Sequence, residues 1–328
     1  MSTATSIQPS PLIPEIIGVT TPNDRARKLE RYIALAVVVV PFLGLVAAIV
    51  LLWGMGIGWL EVGLLAAMYS LTIIGIGVGY HRLFSHGSFQ TRPVIQWVLA
   101  ILGSMAAQGP VYYWAAIHRR HHSCADQPGD PHSPHLHGAG PVAWVKGFWH
   151  AHTGWLFHHE ITDWSRYIID LLRDPVLFRI NRLYFGWVLL GLVLPGAVGG
   201  LVTGTWTGAL LGFLWGGLVR VCLVHHTTWS VNSICHIFGS TPYRCRDESK
   251  NNVWIAVTAF GEGWHNNHHA FPYSAYHGLE WYQIDLNGLC IRVLKRLGLA
   301  WNVKVPPAHV LREARKSAGA TPSVPMIP

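Results

Sequence analysis

The chain has 328 residues, of which 51% are hydrophobic and only 12% are charged, and its mean hydropathy is +0.30. Soluble domains usually carry about 25% charged residues, so this composition excludes a purely soluble enzyme and favours a membrane protein. The formal net charge is +8, but no nucleic-acid motif accompanies it, and we expect the basic residues to contact anionic lipid head groups rather than nucleic acid.

The N-terminal segment, residues 1–30, is polar and contains four prolines. It lacks the short apolar core and the cleavage site of a signal peptide, so we expect it to stay on the protein as a cytoplasmic segment. The five cysteines are odd in number and form no C-x-x-C pair. This usage argues against a disulfide framework and against a thiolate metal site, and it fits a reducing, cytosol-facing location.

Four transmembrane helices are predicted, in two hairpins. The uncharged run from Tyr32 to Trp53 is long enough to cross a hydrocarbon core of about 30 Å. The four predicted spans are at about 32–53, 59–80, 184–204 and 206–225, with an uncharged turn inside each pair. The apolar run 93–114 is interrupted by polar residues and by Pro110, so we interpret it as re-entrant or interfacial rather than as a fifth span.

The distribution of basic residues predicts the orientation of the protein in the membrane. Four Lys and Arg residues precede the first span, nine lie between the second and third spans, ten follow the fourth, and the short turns contain none. The positive-inside rule therefore places both termini and the central loop in the cytoplasm. We expect one integral-membrane domain over residues 31–316 and a disordered tail over 317–328.

The chain contains 20 histidines, and eight of them form three clusters on the predicted cytoplasmic side. In HRRHH and HNNHH the histidines fall at i, i+3 and i+4, which puts all three on one helix face where a single metal pocket can use them. In HRLFSH the two histidines are five residues apart, so on an α-helix their rings diverge by about 140° and are expected to serve different metal ions. The clusters contain His81 and His86; His118, His121 and His122; His265, His268 and His269.

A fourth element, NSICH, places Asn232 and His236 at i and i+4 just beyond the last predicted span. Neutral imidazole is the commonest metal ligand, and nine histidines exceed the three or four ligands of a zinc site, so the pattern predicts two metal ions with open positions. Imidazole also suits copper, nickel and iron, which leaves the metal open, although two irons that activate O2 suit a site beside a membrane. Isolated pairs such as His158 and His159 are interpreted as interfacial side chains.

The motifs HRLFSH, HRRHH, DPHS, VNSICH and GEGWHNNHH occur in this order between paired hydrophobic segments. Over about Tyr69 to Gly278 the chain resembles the membrane fatty acyl desaturases of the stearoyl-CoA (delta-9) type. The resemblance implies an all-α membrane protein with four transmembrane helices in two hairpins and a cytoplasmic helical cap holding a histidine-rich di-iron site. It implies that Asn232 acts through a water and that two irons are bound by His81, His86, His118, His121, His122, His236, His265, His268 and His269.

The resemblance implies O2-dependent insertion of a cis double bond at delta-9 into a saturated acyl chain carried on CoA or on a lipid, with acyl-CoA favoured. The sequence has no dinucleotide or haem motif, so the electrons are expected from a separate donor such as a ferredoxin or cytochrome b5. Ala116 and Ile117 stand where animal acyl-CoA desaturases carry charged residues, and Asn267 stands where an aromatic residue is common.

Two alternatives remain open. A membrane hydroxylase shares the HxxHH motif and the same hydrogen abstraction, so it differs only in geometry and product. A metal transporter is a remote alternative, because the predicted spans contain almost no ionisable residues to line an ion path.

Carboxylates near the histidines are candidates to orient them, because ligating imidazoles usually donate their second N–H to a carboxylate or carbonyl. The nearby acids are Asp126, Asp130, Asp247, Glu248 and Glu262. Asp130 and Glu262 lie within family-like motifs and are favoured, followed by Asp126. Solvated loop acids are the alternative interpretation for each.

An apolar acyl chain needs a dry tunnel that ends at the metals. The tryptophan- and glycine-rich segments around 147–155 and 229–236 are candidate walls, with Trp149, Trp155 and Trp229, although ordinary core packing explains them as well. Tyr69 lies twelve residues before His81, about 18 Å along the same helix, and is expected to limit the length of chain that fits beyond the reacting carbons.

Overall fold

The computed structural model describes residues 18–158 and 160–319. Residues 1–17 of the predicted N-terminal segment and 320–328 of the predicted tail lie outside this part of the chain. The helices are α1 (Asp24–Met55), α2 (Trp59–Ile74), α3 (Pro93–Met105), α4 (Val111–Cys124), α5 (Pro141–His152), α6 (Trp164–Tyr167), α7 (Ile169–Leu172), α8 (Pro175–Arg182), α9 (Tyr184–Thr203), α10 (Trp206–Gly212), α11 (Arg220–Ser233), α12 (Val253–Thr258), α13 (His265–Ala270), α14 (Leu286–Arg296) and α15 (Ala308–Gly319).

Two π-helical segments extend the long helices. Gly75–Ser85 continues α2, and Phe213–Val219 joins α10 to α11. Short 3-10 turns cover Gly154–Phe157 and Ile234–His236. The four strands of two residues each are β1 (Val19–Thr20), β2 (Gln90–Thr91), β3 (Ile161–Thr162) and β4 (Ala300–Trp301).

Within the described residues, four helical stretches are long and apolar enough to cross a membrane, which confirms the predicted all-α architecture with four membrane helices. They cover Asp24–Gly54, Trp59–Ser85, Tyr184–Thr203 and Trp206–His236. The first begins at Asp24 rather than near residue 32, because Asn23 caps it by accepting a hydrogen bond from the Ala26 N–H. The second and fourth run past their predicted ends, to Ser85 and His236 respectively.

Helix α3 is too short to be a fifth span. Its 13 residues extend about 20 Å, whereas a hydrocarbon core is about 30 Å thick. It packs against the second and third spans, and the buried Arg220 guanidinium donates hydrogen bonds to the carbonyls of Met105, at the end of α3, and of Gly191. The length of α3 agrees with the expectation that this segment is not a fifth span.

The cap consists of the shorter helices between the second and third spans and after the fourth. Two antiparallel pairings tie distant segments of the chain together: β1, which precedes the first span, pairs with β3, and β2 pairs with β4. A buried core of apolar side chains joins the end of the second span to α3, α4 and α14. The tail expected to be disordered from residue 317 is helical as far as Gly319, because α15 is rich in alanine, arginine and other helix formers.

Candidate metal centre

Five histidines converge in a first group where the second span ends. Their ligand nitrogens all lie within 4.8 Å of one another. The Nε2 atoms of His86 and His118 are 2.8 Å apart, and His268 Nε2 lies 3.0 Å from His81 Nε2 and 2.9 Å from His122 Nε2. The π-helical end of the second span, α4 and α13 therefore each contribute to this group.

Four further histidines form a second group where the fourth span ends. It contains His121, His236, His265 and His269, whose ligand nitrogens also lie within 4.8 Å of one another. His236 Nε2 lies 3.1 Å from His265 Nε2. The structure thus brings all nine predicted histidines into two neighbouring groups.

Each HxxHH helix supplies both groups, whereas the sequence predicted that one pocket would use all three histidines of a motif. Residues i and i+4 of an α-helix differ by about 40° in direction, but i+3 lies about 60° to the other side. His118 and His122 consequently point into the first group and His121 into the second. On α13 the i and i+4 histidines enter the second group and His268 enters the first.

His81 and His86 lie in the same group, so the expectation that they serve different ions is wrong. Their ring centroids are 5.0 Å apart. The local helix is a π-helix, in which the His86 N–H donates to the His81 carbonyl oxygen across five residues. Residues five apart therefore share a face here, which an α-helical register does not allow.

Four carboxylates fix the tautomers of four histidines. Nδ1 of His121 lies 3.0 Å from Asp130, Nδ1 of His236 lies 2.8 Å from Asp126, and Nδ1 of His81 contacts Glu262. His269 pairs in the same way with Asp247 at 2.8 Å. Because each Nδ1–H donates to a carboxylate, each Nε2 keeps its lone pair for the group that it faces.

The arrangement of these lone pairs suits cations. His81 Nε2 faces His268 Nε2, and His236 Nε2 faces His265 Nε2, each at about hydrogen-bond distance. Among the described residues, Nε2 of His121 is buried without a hydrogen-bond partner, and so is Nε2 of His269. Buried acceptors left unpaired are costly, so the donor set fits two metal ions.

The comparisons with known proteins agree with this chemistry. A family model described as fatty acid desaturase matches residues 57–288. A hex-5-enoyl-[acyl-carrier protein] acetylenase from Moorena producens (strain JHB) is 47% identical over 301 residues, which are 91% of this chain and 94% of that protein. The chain belongs to the fatty acid desaturase family.

Two further relatives of the desaturase are sn-1 stearoyl-lipid 9-desaturases. The protein from Anabaena variabilis is 41% identical over 75% of this chain and 85% of its own length. The protein from Synechocystis sp. (strain ATCC 27184 / PCC 6803 / Kazusa) is 40% identical over 76% of this chain and 73% of its own length. The predicted family is confirmed, and the chain is a membrane-associated oxidoreductase that desaturates fatty acyl chains.

Burial keeps most histidines of the desaturase's cap in their neutral, metal-binding form. Burial, followed by the neighbouring imidazoles, holds the pKa values of six of them well below the ordinary value of 6.5. These six are His86, His118, His122, His265, His268 and His269. For His121 burial acts in the same direction, but the Asp130 carboxylate outweighs it and raises the pKa.

The pKa values of three acids beside the histidines lie below their ordinary values. Burial opposes this, yet the His121 imidazole lowers the pKa of Asp130, and a hydrogen bond from His236 lowers that of Asp126. Glu262 is also buried, and the Arg82 guanidinium lowers its pKa most strongly, ahead of the nearby imidazoles. The three favoured carboxylates are therefore acceptors for the ring N–H groups. Glu248, by contrast, has an exposed side chain that pairs with Lys250.

Glu262 is held from several sides by residues that the sequence analysis missed. The Arg82 guanidinium donates to Glu262 at 2.9 Å and to both oxygens of Asp285, and the Asn287 amide donates to Glu262 at 2.8 Å. Gly77 leaves room for this contact, because a Cβ there would lie 2.0 Å from Asn287 Nδ2. Local spacing gave no signal for Arg82 and Asp285, which are 203 residues apart.

Two more buried histidines lie beside the groups. The His277 ring is 4.4 Å from the His268 ring, with its Nδ1 3.3 Å from Glu262. The His132 ring is 4.4 Å from the His121 ring. His132 lies inside the DPHS motif, which was its only signal in the sequence, and His277 had none.

Asn267, which stands where an aromatic residue is common in the family, supports the loop that carries His277. Its amide nitrogen donates to the His277 carbonyl and to Gln283 Oε1, both at 2.8 Å. Its side-chain oxygen accepts from Asn251 Nδ2 at 2.7 Å. An aromatic side chain cannot make these three hydrogen bonds. Asn267 therefore anchors α13, the helix that bears the third histidine cluster.

Asn232 lies on α11, about one helical turn before His236, and is half-buried. Among the described residues its side-chain amide has no hydrogen-bond partner. Its placement leaves the amide free for another ligand.

The candidate tunnel residues lie in different surroundings. The Tyr69 hydroxyl bonds to Thr227 of the fourth span at 3.0 Å and to the Thr258 carbonyl at 2.8 Å. Trp229 is buried, and the half-buried Trp155 ring lies 5.6 Å from the His132 ring. Trp149 is 62% exposed and lines an outer pocket, so the structure does not bring it to the histidine groups.

Proposed function

We propose that this desaturase uses two irons, O2 and two external electrons to insert a cis double bond at delta-9 into a saturated acyl chain. The observation that carries the proposal is the convergence of nine histidines in two neighbouring groups, each of which could hold a metal ion. Nine imidazole ligands exceed what a zinc site takes. The names of the two stearoyl-lipid 9-desaturases support the delta-9 position.

The proposed ligands follow the two groups. The five histidines of the first group hold one iron, and the four of the second hold the other, with Asn232 acting through a water beside His236. When bound, the irons supply the O2-derived oxidising power that removes two hydrogens from neighbouring carbons of the substrate. Asp126, Asp130 and Glu262 keep the imidazoles in the tautomer that presents Nε2 to the metals.

The chain's apolar residues position the substrate. In the proposed tunnel, Trp155 and Trp229 exclude water near the histidine groups, and Tyr69 closes the end that receives the methyl terminus. Its hydroxyl joins the second span to the fourth, so the ring is fixed and sets a defined length. Positioning of this kind decides which carbons lie closest to the oxidant.

The acyl carrier is proposed to be a carrier protein or a lipid. Acyl-CoA, which the sequence analysis favoured, is the alternative. Ala116 and Ile117 take the place of charged residues that suit a CoA head group. By their names, the acetylenase acts on a chain held by acyl-carrier protein and the two 9-desaturases act on lipid. Offering one stearoyl group to the purified enzyme on carrier protein, on lipid and on CoA measures the preference directly.

The electrons are proposed to come from a separate acidic protein such as a ferredoxin, with cytochrome b5 as the alternative. The basic residues flanking the spans support a cytoplasmic position for both termini and for the active site. The same basic surface favours binding of an acidic electron donor.

Acetylenic bond formation is a second candidate, because the relative that is 47% identical over 91% of this chain is named an acetylenase. This reaction would use the same hydrogen abstraction on a chain that already contains a double bond. A hydroxylase would instead leave oxygen on the substrate.

Gas chromatography with mass spectrometry of total fatty acids separates these activities. The host lacks its own desaturase and co-expresses a ferredoxin with this chain or its His268→Ala variant. We expect a delta-9 monoene with the wild type and none with the variant. A triple bond in cells that are also fed a monounsaturated fatty acid would indicate the acetylenase, and a hydroxy acid would indicate the hydroxylase. No new product from iron-loaded protein would contradict the proposal.

A further inference from the structure

Helix α14, in the cap, carries an apolar stripe that faces away from the protein. Leu289, Val293 and Leu297 expose 51%, 45% and 65% of their surface, and Leu286 precedes them on the same face. The opposite face of the helix is buried through Asn287, Gly288 and Ile291. A surface helix of a soluble domain buries its apolar stripe, so the orientation of α14 is the reverse of that expected for a water-exposed cap.

Exposed aromatic residues flank this stripe in the sequence. Trp281 is 95% exposed before the helix, and Trp301 is 43% exposed after it. Tryptophan is enriched where a membrane meets water, because its ring is apolar and its N–H is polar.

Basic residues accompany the stripe. Residues 286–305 contain four Lys and Arg residues and no Asp or Glu. At about 100° per residue, Arg292 and Arg296 lie beside the apolar stripe rather than opposite it. A helix with an apolar face and adjacent basic side chains is typical of segments that lie on anionic membranes.

The stripe is continuous with the part of the protein that crosses the membrane. The β2–β4 pairing joins Thr91, two residues before α3, to Ala300, directly before Trp301. Helix α3 exposes Val94 and Val98 and packs against the second and third spans. Helix α14 itself contacts the Gly75–Ser85 end of the second span. These contacts place α14 beside the end of the second span.

We propose that α14, together with Trp281 and Trp301, lies in the head-group region of the bilayer that the four spans cross. In this position the apolar stripe of α14 contacts the lipid surface. The buried face of the same helix supplies Asn287, which donates to Glu262 beside His81. Contact with lipid therefore steadies the carboxylate that orients one of the proposed iron ligands.

Spin-label accessibility in nanodiscs of phosphatidylcholine and phosphatidylglycerol tests this placement in the full-length protein. A nitroxide attached to p-acetylphenylalanine at position 289 or 293 leaves the five native cysteines unchanged. The matched control is position 248, where the native side chain is 62% exposed elsewhere on the cap. Position 297 replaces either site if the labelled variant does not fold.

We expect O2, which partitions into lipid, to relax the labels at 289 and 293 more strongly than a water-soluble nickel chelate does. The order is expected to be reversed at position 248. Stronger relaxation by the chelate at 289 and 293 would show that the stripe faces water and would overturn the proposal. Protection from both reagents would show that protein covers the stripe, and this result would overturn it equally.

Discussion

Glu262 connects the buried Arg82 guanidinium to His81. It contacts His81 and accepts hydrogen bonds from Arg82 and Asn287, so one carboxylate is shared by three donors. Its negative charge matters because the Arg82 guanidinium is fully buried and needs an ionised partner.

Replacing Glu262 with glutamine keeps the shape of the side chain but removes this charge. We expect Glu262→Gln to weaken iron binding by about 10- to 100-fold, because the residues that orient a ligand have effects of this size. Titration of the apoprotein with iron measures the change. Glu248→Gln is the control, since that side chain is exposed. Equal iron affinities in the two variants would contradict the role given to Glu262.

Tyr69 provides a test of the proposed tunnel. We expect Tyr69→Ala to shift the product distribution toward longer acyl chains, because removing the ring opens the end of the tunnel. Tyr69→Phe keeps the ring and loses only the hydroxyl bonds to Thr227 and Thr258, so its products should keep the wild-type length. Chain-length profiles measured by gas chromatography compare the variants. An unchanged profile in Tyr69→Ala would count against the tunnel.

The π-helical end of the second span is the element that joins the membrane region to the site. It brings His81 and His86 to one face and contains Gly77, where a Cβ would lie 2.0 Å from Asn287 Nδ2 and 2.8 Å from Glu262 Oε1. A side chain at Gly77 would therefore displace the groups that hold the Glu262 carboxylate.

We expect Gly77→Ala to destabilise the protein by about 1–3 kcal/mol, the usual cost of overpacking, and to lower its iron content. Gly63→Ala on the same span is the matched control, because nothing lies within 4 Å of the added Cβ. Thermal unfolding in detergent and metal analysis compare the two variants. Equal stabilities and equal iron contents in the two variants would show that the close packing at Gly77 contributes neither to stability nor to iron binding.

At the scale of the whole molecule, local sequence patterns predicted much of the fold and much of the candidate site. Hydropathy located the four spans, and histidine spacing selected the nine residues that the structure brings together. The shared face of His81 and His86 was missed because a π-helix has no readable sequence period. Arg82 and His277 were missed because their partners, Asp285 and His268, are set by tertiary packing.

The proposed enzyme depends on two irons held by nine histidines. The metal content of the purified chain tests this most directly. We expect inductively coupled plasma mass spectrometry to find two irons per wild-type chain. The His268→Ala and His236→Ala variants, each altered in one group, should lose iron while remaining folded. A wild-type chain that binds zinc, or a single iron that both variants retain, would contradict the account.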